Sequence, residues 1–195
     1  MKDGVVISLP DWVEPELNKH PDVFPTLEDR MKLVISFSKM NIDNKTGGPF
    51  AAGVFETKTG KLVAVGVNRV VPLGCSTAHA EIVALSFAQK KLGVYDLGEP
   101  GLPDHQLVVN WCPCVMCYGA ILWSGITSLV IAGSSPEMEN ITGFDEGPMH
   151  PDWVTELEKR GISLVDNLLK EEACKVFKYF AEKGELVYNA RSNRT

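Results

Sequence analysis

Two short stretches carry residue types suited to metal chemistry: His79-Ala80-Glu81 and Pro113-Cys114-Val115-Met116-Cys117. Hydrophobic spacing predicts helices opening near Ala78 and near Pro113, with His79, Cys114 and Cys117 in their first turns. Cys114 and Cys117 are three apart, so both sulfurs share one helix face. Unpaired N–H groups and the positive end of the helix dipole favour thiolates there. One imidazole and two thiolates make three ligands of a tetrahedral zinc ion, and an open fourth position is the mark of a catalytic site. Glu81 follows the histidine by two residues, off the ligand face but at the same helix end. From there it can reach a water on the metal without binding the metal. Zinc lowers the pKa of such a water to about 7, and a neighbouring carboxylate can carry its proton to a leaving amine.

Each stretch alone is weak. A solitary Cys-x-x-Cys is often structural or redox-active, and Cys75 or Cys112 could close the site as a fourth ligand. A redox reading wants no dedicated histidine. The ordered pair, His-x-Glu and then Pro-Cys-x-x-Cys, is the signature of the zinc deaminases.

At these residues the chain resembles the cytidine deaminase superfamily, and within it the bacterial guanine deaminases. The likeness runs from about Gly47 to Gly147. Gly47-Gly48-Pro49-Phe50 is similar to the family's opening turn. Asn68 stands eleven residues before His79, where the family keeps an asparagine on the base. Ser76-Thr77-Ala78-His79-Ala80-Glu81 and the run Gly119–Trp123 match further segments, and Gly143-Phe144-Asp145-Glu146 resembles the Gly-Phe-Asp-Asp of the guanine branch. The resemblance implies a zinc-dependent deaminase in which Glu81 and, as a second proton shuttle, Glu146 are catalytic. The substrate contacts expected are Asn68, Phe50, Ala78 and Asp145. Asn68 offers a donor and an acceptor, and Phe50 could stack on the ring. Two positions depart from the family: Cys112 stands where it often has glutamate, and Val115 where proline is common.

The elements around these residues predict their frame. Thr26 caps a helix to about Met40, and strands Phe50–Glu56 and Lys61–Val67 form a hairpin. A loop through Pro72 precedes the histidine helix. Strands at 107–109, 128–132 and 163–165 alternate with helices at 113–123, 152–159 and 171–183. The 113–123 helix is apolar all round and so is expected to be buried. This pattern predicts a three-layer α/β/α sandwich on a mixed sheet of about five strands. Residues 1–25 read as an irregular arm with one helical turn near Trp12, and 26–195 as a single deaminase domain.

The net charge is −6 over 195 residues, and the last helix mixes Glu171, Glu172 and Glu182 with Lys175, Lys178 and Lys183. The tail Arg191-Ser192-Asn193-Arg194 adds only two cations. A broad nucleic-acid surface needs clustered cations, so a free purine base is the expected partner, with a tRNA adenosine, another nucleobase or nucleoside, or an aminotriazine as alternatives. No run of about 18 apolar residues occurs, and Met1-Lys2-Asp3-Gly4 does not open a secretory signal. Five cysteines, three of them within six residues, suit a metal site in a reducing compartment better than a disulfide framework. A cytoplasmic homodimer is the expectation.

Overall fold

A computed structural model describes residues 4–134 and 136–190; the expectations for Met1–Asp3 and for the tail beyond Ala190 lie outside them. The Thr26 side chain accepts from the Asp29 N–H at 3.1 Å, and α2 (Leu27–Asp43) follows from that cap. Ahead of it, α1 (Val13–Leu17) is the helical turn expected near Trp12. Part of the expected arm is packed down: Val13 is buried, Trp12 Nε1 donates to Thr46 Oγ1 at 2.9 Å, and Val23 bridges to Lys61, while Val5 and Val6 are exposed.

The hairpin pairs β1 (Ala51–Glu56) with β2 (Leu62–Val67). With β3 (His105–Val109), β4 (Ser128–Ile131) and β5 (Ser163–Val165) they form one five-stranded sheet in the order β2-β1-β3-β4-β5. β1 is antiparallel to both β2 and β3, and β3, β4 and β5 are parallel. The register decides where chemistry can gather. Ala51 faces Val67, Ala52 faces Val109, and Val109 faces Ile131. The start of β1 and the ends of β2, β3 and β4 therefore lie at one sheet end.

Helices cover both faces, as the alternation predicts. α2 packs on one face with α6 (Glu137–Thr142) and α8 (Lys170–Lys183). On the other lie α4 (Ala80–Leu92), α5 (Val115–Trp123) and α7 (Trp153–Glu158). Ala173, Val176, Phe177 and Phe180 of α8 are all buried, as their helical spacing requires. A Cβ on Gly66 would lie 2.2 Å from the Ala80 carbonyl oxygen, so this glycine lets α4 settle directly on β2.

Three expectations need correction. The loop through Pro72 contains a short helix, α3 (Val70–Leu73); Pro72 is tolerated because first-turn N–H groups lack helical partners. The two ligand-bearing helices each open about two residues later than expected, at Ala80 and Val115, so His79 and Cys114 are N-caps and Pro113 precedes the cap. The third concerns α5. Only Cys117, Tyr118 and Ile121 are buried there, while Val115 is 41% and Trp123 88% exposed. Helical geometry turns a third of any helix away from a single sheet, so an all-apolar sequence does not ensure burial within one chain.

Candidate active site

His79 and Cys114 cap α4 and α5 with extended backbone, ψ 156° and 168°, and neither makes a side-chain cap bond. An N-cap side chain normally accepts from the first-turn N–H groups. Released from that task, these two face each other: His79 Nδ1 lies 3.5 Å from Cys114 Sγ. Cys117 joins them from the first turn of α5, and the ligand atoms of all three lie within 4.8 Å of one another. Two thiols and an imidazole nitrogen, two of the residues fully buried, form a donor set suited to zinc. A hydrogen bond from Cys117, working against burial, and another to His79 draw the Cys114 thiol down to about 4. That same bond to Cys114, together with burial, pushes the Cys117 thiol up.

Cys75 and Cys112 do not join this cluster among the described residues. Cys75 bonds Thr77 Oγ1 at 3.3 Å. The Cys112 thiol lies 3.7 Å from the Pro113 carbonyl oxygen, and burial, followed by the charges of Glu146 and Asp166, raises it to about 12. The closed four-ligand alternative finds no fourth protein donor there.

A cavity of about 360 Å³ opens onto the cluster, a volume suited to a small ligand. Glu81 lines it and is only 6% exposed; burial, and then the Cys114 charge, raise its carboxyl above the ordinary range. Asn68 and Phe50 reach the same wall because they flank the strand ends brought together by the register. The Gly48 and Val70 N–H groups donate to Asn68 Oδ1 at 3.5 and 3.3 Å. The acceptor of this amide is thereby occupied. Its NH2 group has no partner among the described residues and remains for an acceptor on a ligand. A Cβ on Gly47 would lie 1.8 Å from the Asn68 carbonyl oxygen, so only glycine permits this approach of turn to strand end. Phe50 divides itself, one side on the cavity and the other packed against Phe177 at 5.6 Å and Phe144 at 5.2 Å.

The two loop acids separate. Asp145 is exposed and its Oδ1 accepts from the Gly147 N–H at 2.9 Å, so it shapes the turn. Glu146 is half-buried. Burial, then the Cys114 and Glu81 charges, bring its carboxyl to about 8. Ala78 does not line the cavity: its N–H goes to the Cys75 carbonyl, its carbonyl accepts from the Arg69 N–H, and Ser76 and His79 form the wall on either side.

The chain is similar to known proteins. The pattern of the cytidine and deoxycytidylate deaminase zinc-binding region fits residues 25–133. The chain belongs to this deaminase family. A solved structure of guanine deaminase from Nitrosomonas europaea is 47% identical, with 93% of this chain and 98% of that one superposed at a TM-score of 0.88. The guanine deaminase of Bacillus subtilis is 30% identical over 81% of this chain and 97% of its own length. A tRNA-specific adenosine deaminase of Buchnera aphidicola is 28% identical over 77% of this chain and 90% of its own.

Sequence reasoning missed two parts of this deaminase site. Asn110 is fully buried; it donates to the Pro49 carbonyl and accepts from the Ala51 N–H, tying the opening turn to the end of β3. An asparagine directly after an apolar strand was the available signal. Leu186, Tyr188, Asn189 and Ala190, beyond the end of α8, also line the cavity, and nothing in their spacing distinguishes them from a tail.

Proposed function

We propose that this chain hydrolyses guanine to xanthine and ammonia. The observation that carries the reading is a cavity of about 360 Å³ lined by His79 and Cys114, with Cys117 beside them, and by two carboxyls, the buried Glu81 and the half-buried Glu146. His79, Cys114 and Cys117 would hold zinc. When bound, zinc acidifies water and so supplies the nucleophile at neutral pH.

The chain's own groups then move protons. Glu81, raised by burial, takes the proton of the attacking water and gives it to a ring nitrogen of the base. Loss of the amine from C2 needs a further proton. Glu146, whose carboxyl is brought to about 8, carries that proton at neutral pH. The Asn68 amide donates to an acceptor on the base edge, and Phe50 covers one side of the ring. Release of one ammonia per guanine by the zinc-loaded protein tests the reading. Adenine, cytosine and nucleosides should be turned over far more slowly.

A tRNA adenosine is the weaker alternative. The charge balance of −6 disfavours a polyanion. The 186–190 segment also lies along the cavity, where a base still joined to a polynucleotide would have to displace it. We also propose a cytoplasmic setting, supported by free thiols at all five cysteines. Among the described residues no helix is long and apolar enough to cross a membrane.

The exposed apolar side of α5 supports pairing of two copies. Trp123, at 88% exposure, is the largest uncovered side chain on it, and apolar patches of this kind mark interfaces. Sedimentation at micromolar concentration should give a dimer, and Trp123→Glu should shift it toward monomer. A wild-type protein sedimenting only as monomer contradicts this.

A further inference from the structure

The 143–147 loop brings Glu146 to the cavity, and something must hold that loop in place. Its backbone is tethered to the ligand helix by the Val115 N–H, which donates to the Glu146 carbonyl at 3.0 Å. Its other side is held by a residue far away in sequence. Asn189 Nδ2 donates to the Gly143 carbonyl at 2.8 Å, and Asn189 Oδ1 accepts from the Asp145 N–H at 2.9 Å. The two bonds bracket Phe144. Its ring stacks on Phe180 of α8 at 5.6 Å and meets Phe50 edge-on at 5.2 Å. A planar amide suits this position because it can give one hydrogen bond and receive another on neighbouring backbone groups.

We propose that Asn189 is a positioning residue: it latches the C-terminal segment to the 143–147 loop and so sets the reach of the Glu146 carboxyl. The inference rests on the reading of Glu146 as the second proton carrier. Asn189 acts through Glu146 and not on the reacting atoms. Its loss therefore costs proton delivery more than base binding.

Two measurements on the zinc-loaded, full-length protein test this. Hydrogen exchange of the substrate-free protein should be about 10-fold or more faster across residues 143–147 in Asn189→Ala, since the Asp145 amide loses its acceptor. With guanine, Asn189→Ala should lower kcat by about 10–100-fold, the scale of a misplaced catalytic group, with little change in KM. Asn189→Asp keeps the acceptor and loses the donor to Gly143, and serves if the alanine variant is poorly folded. In a Glu146→Gln background the Asn189 substitution should cost almost nothing more, because coupled residues are not additive. Unchanged loop exchange overturns the latch. Wild-type kcat in Asn189→Ala beside a slow Glu146→Gln, or fully multiplicative losses, overturns the coupling alone. A Glu146→Gln protein with wild-type kcat overturns the Glu146 reading and this proposal with it.

Discussion

Replacing Glu81 with glutamine should lower kcat by about 10²–10⁴-fold, the usual worth of a positioned proton carrier. The amide has nearly the shape of the carboxyl and fills the same buried place, so local packing is preserved. It cannot accept a proton from water. Zinc content should be unchanged, because Glu81 stands outside the cluster of three ligand atoms. Equilibrium binding of an unreactive purine analogue should also survive. The two controls make the result readable. An active Glu81→Gln would remove it as acid and base, and loss of zinc in that variant would make it a ligand.

The second large effect is expected at Cys117. Its side chain is fully buried in the first turn of α5, and among the described residues no other His, Cys, Asp or Glu groups with Cys114 and His79. Cys117→Ser substitutes a poor ligand for a thiolate, and dialysed protein should lose most of its zinc and, with it, turnover. A metal that binds only the folded chain stabilises it by about 2.7 kcal/mol at 100 times its Kd, which is about 5–11 °C in Tm for a chain of this size. The wild-type protein should show that difference between its loaded and chelated forms. Cys117→Ser should melt near the chelated wild type with or without added zinc. Retention of one zinc per chain in the variant would mean that another cysteine is the ligand.

The ligand residues were legible because a helix start converts sequence spacing directly into geometry. Cys114 and Cys117 had to share a face, and His79 had to lie at a helix opening. The sheet was legible for a similar reason: the hairpin, the apolar strands and the amphipathic α8 each follow a local period. The exact helix starts were not. Whether His79 and Cys114 are caps or first-turn residues depends on their partners across the cavity, not on their neighbours in sequence. Burial of α5 was misread because periodicity reports apolarity and cannot say whether the covering surface belongs to the same chain. Asp145 and Glu146 look alike in sequence, and the turn hydrogen bond from the Gly147 N–H to Asp145 distinguishes them. Asn189 left no trace at all, since its contacts are made 44 and 46 residues away.

Ammonia release reads out the choice of substrate. Zinc-loaded protein should be offered guanine, adenine, cytosine, guanosine, cytidine, an aminotriazine and an adenosine-containing tRNA anticodon stem-loop under identical conditions. Guanine should give the highest kcat/KM, with xanthine formed in equal amount to ammonia. A faster reaction on the RNA adenosine, or no ammonia from guanine, would contradict this.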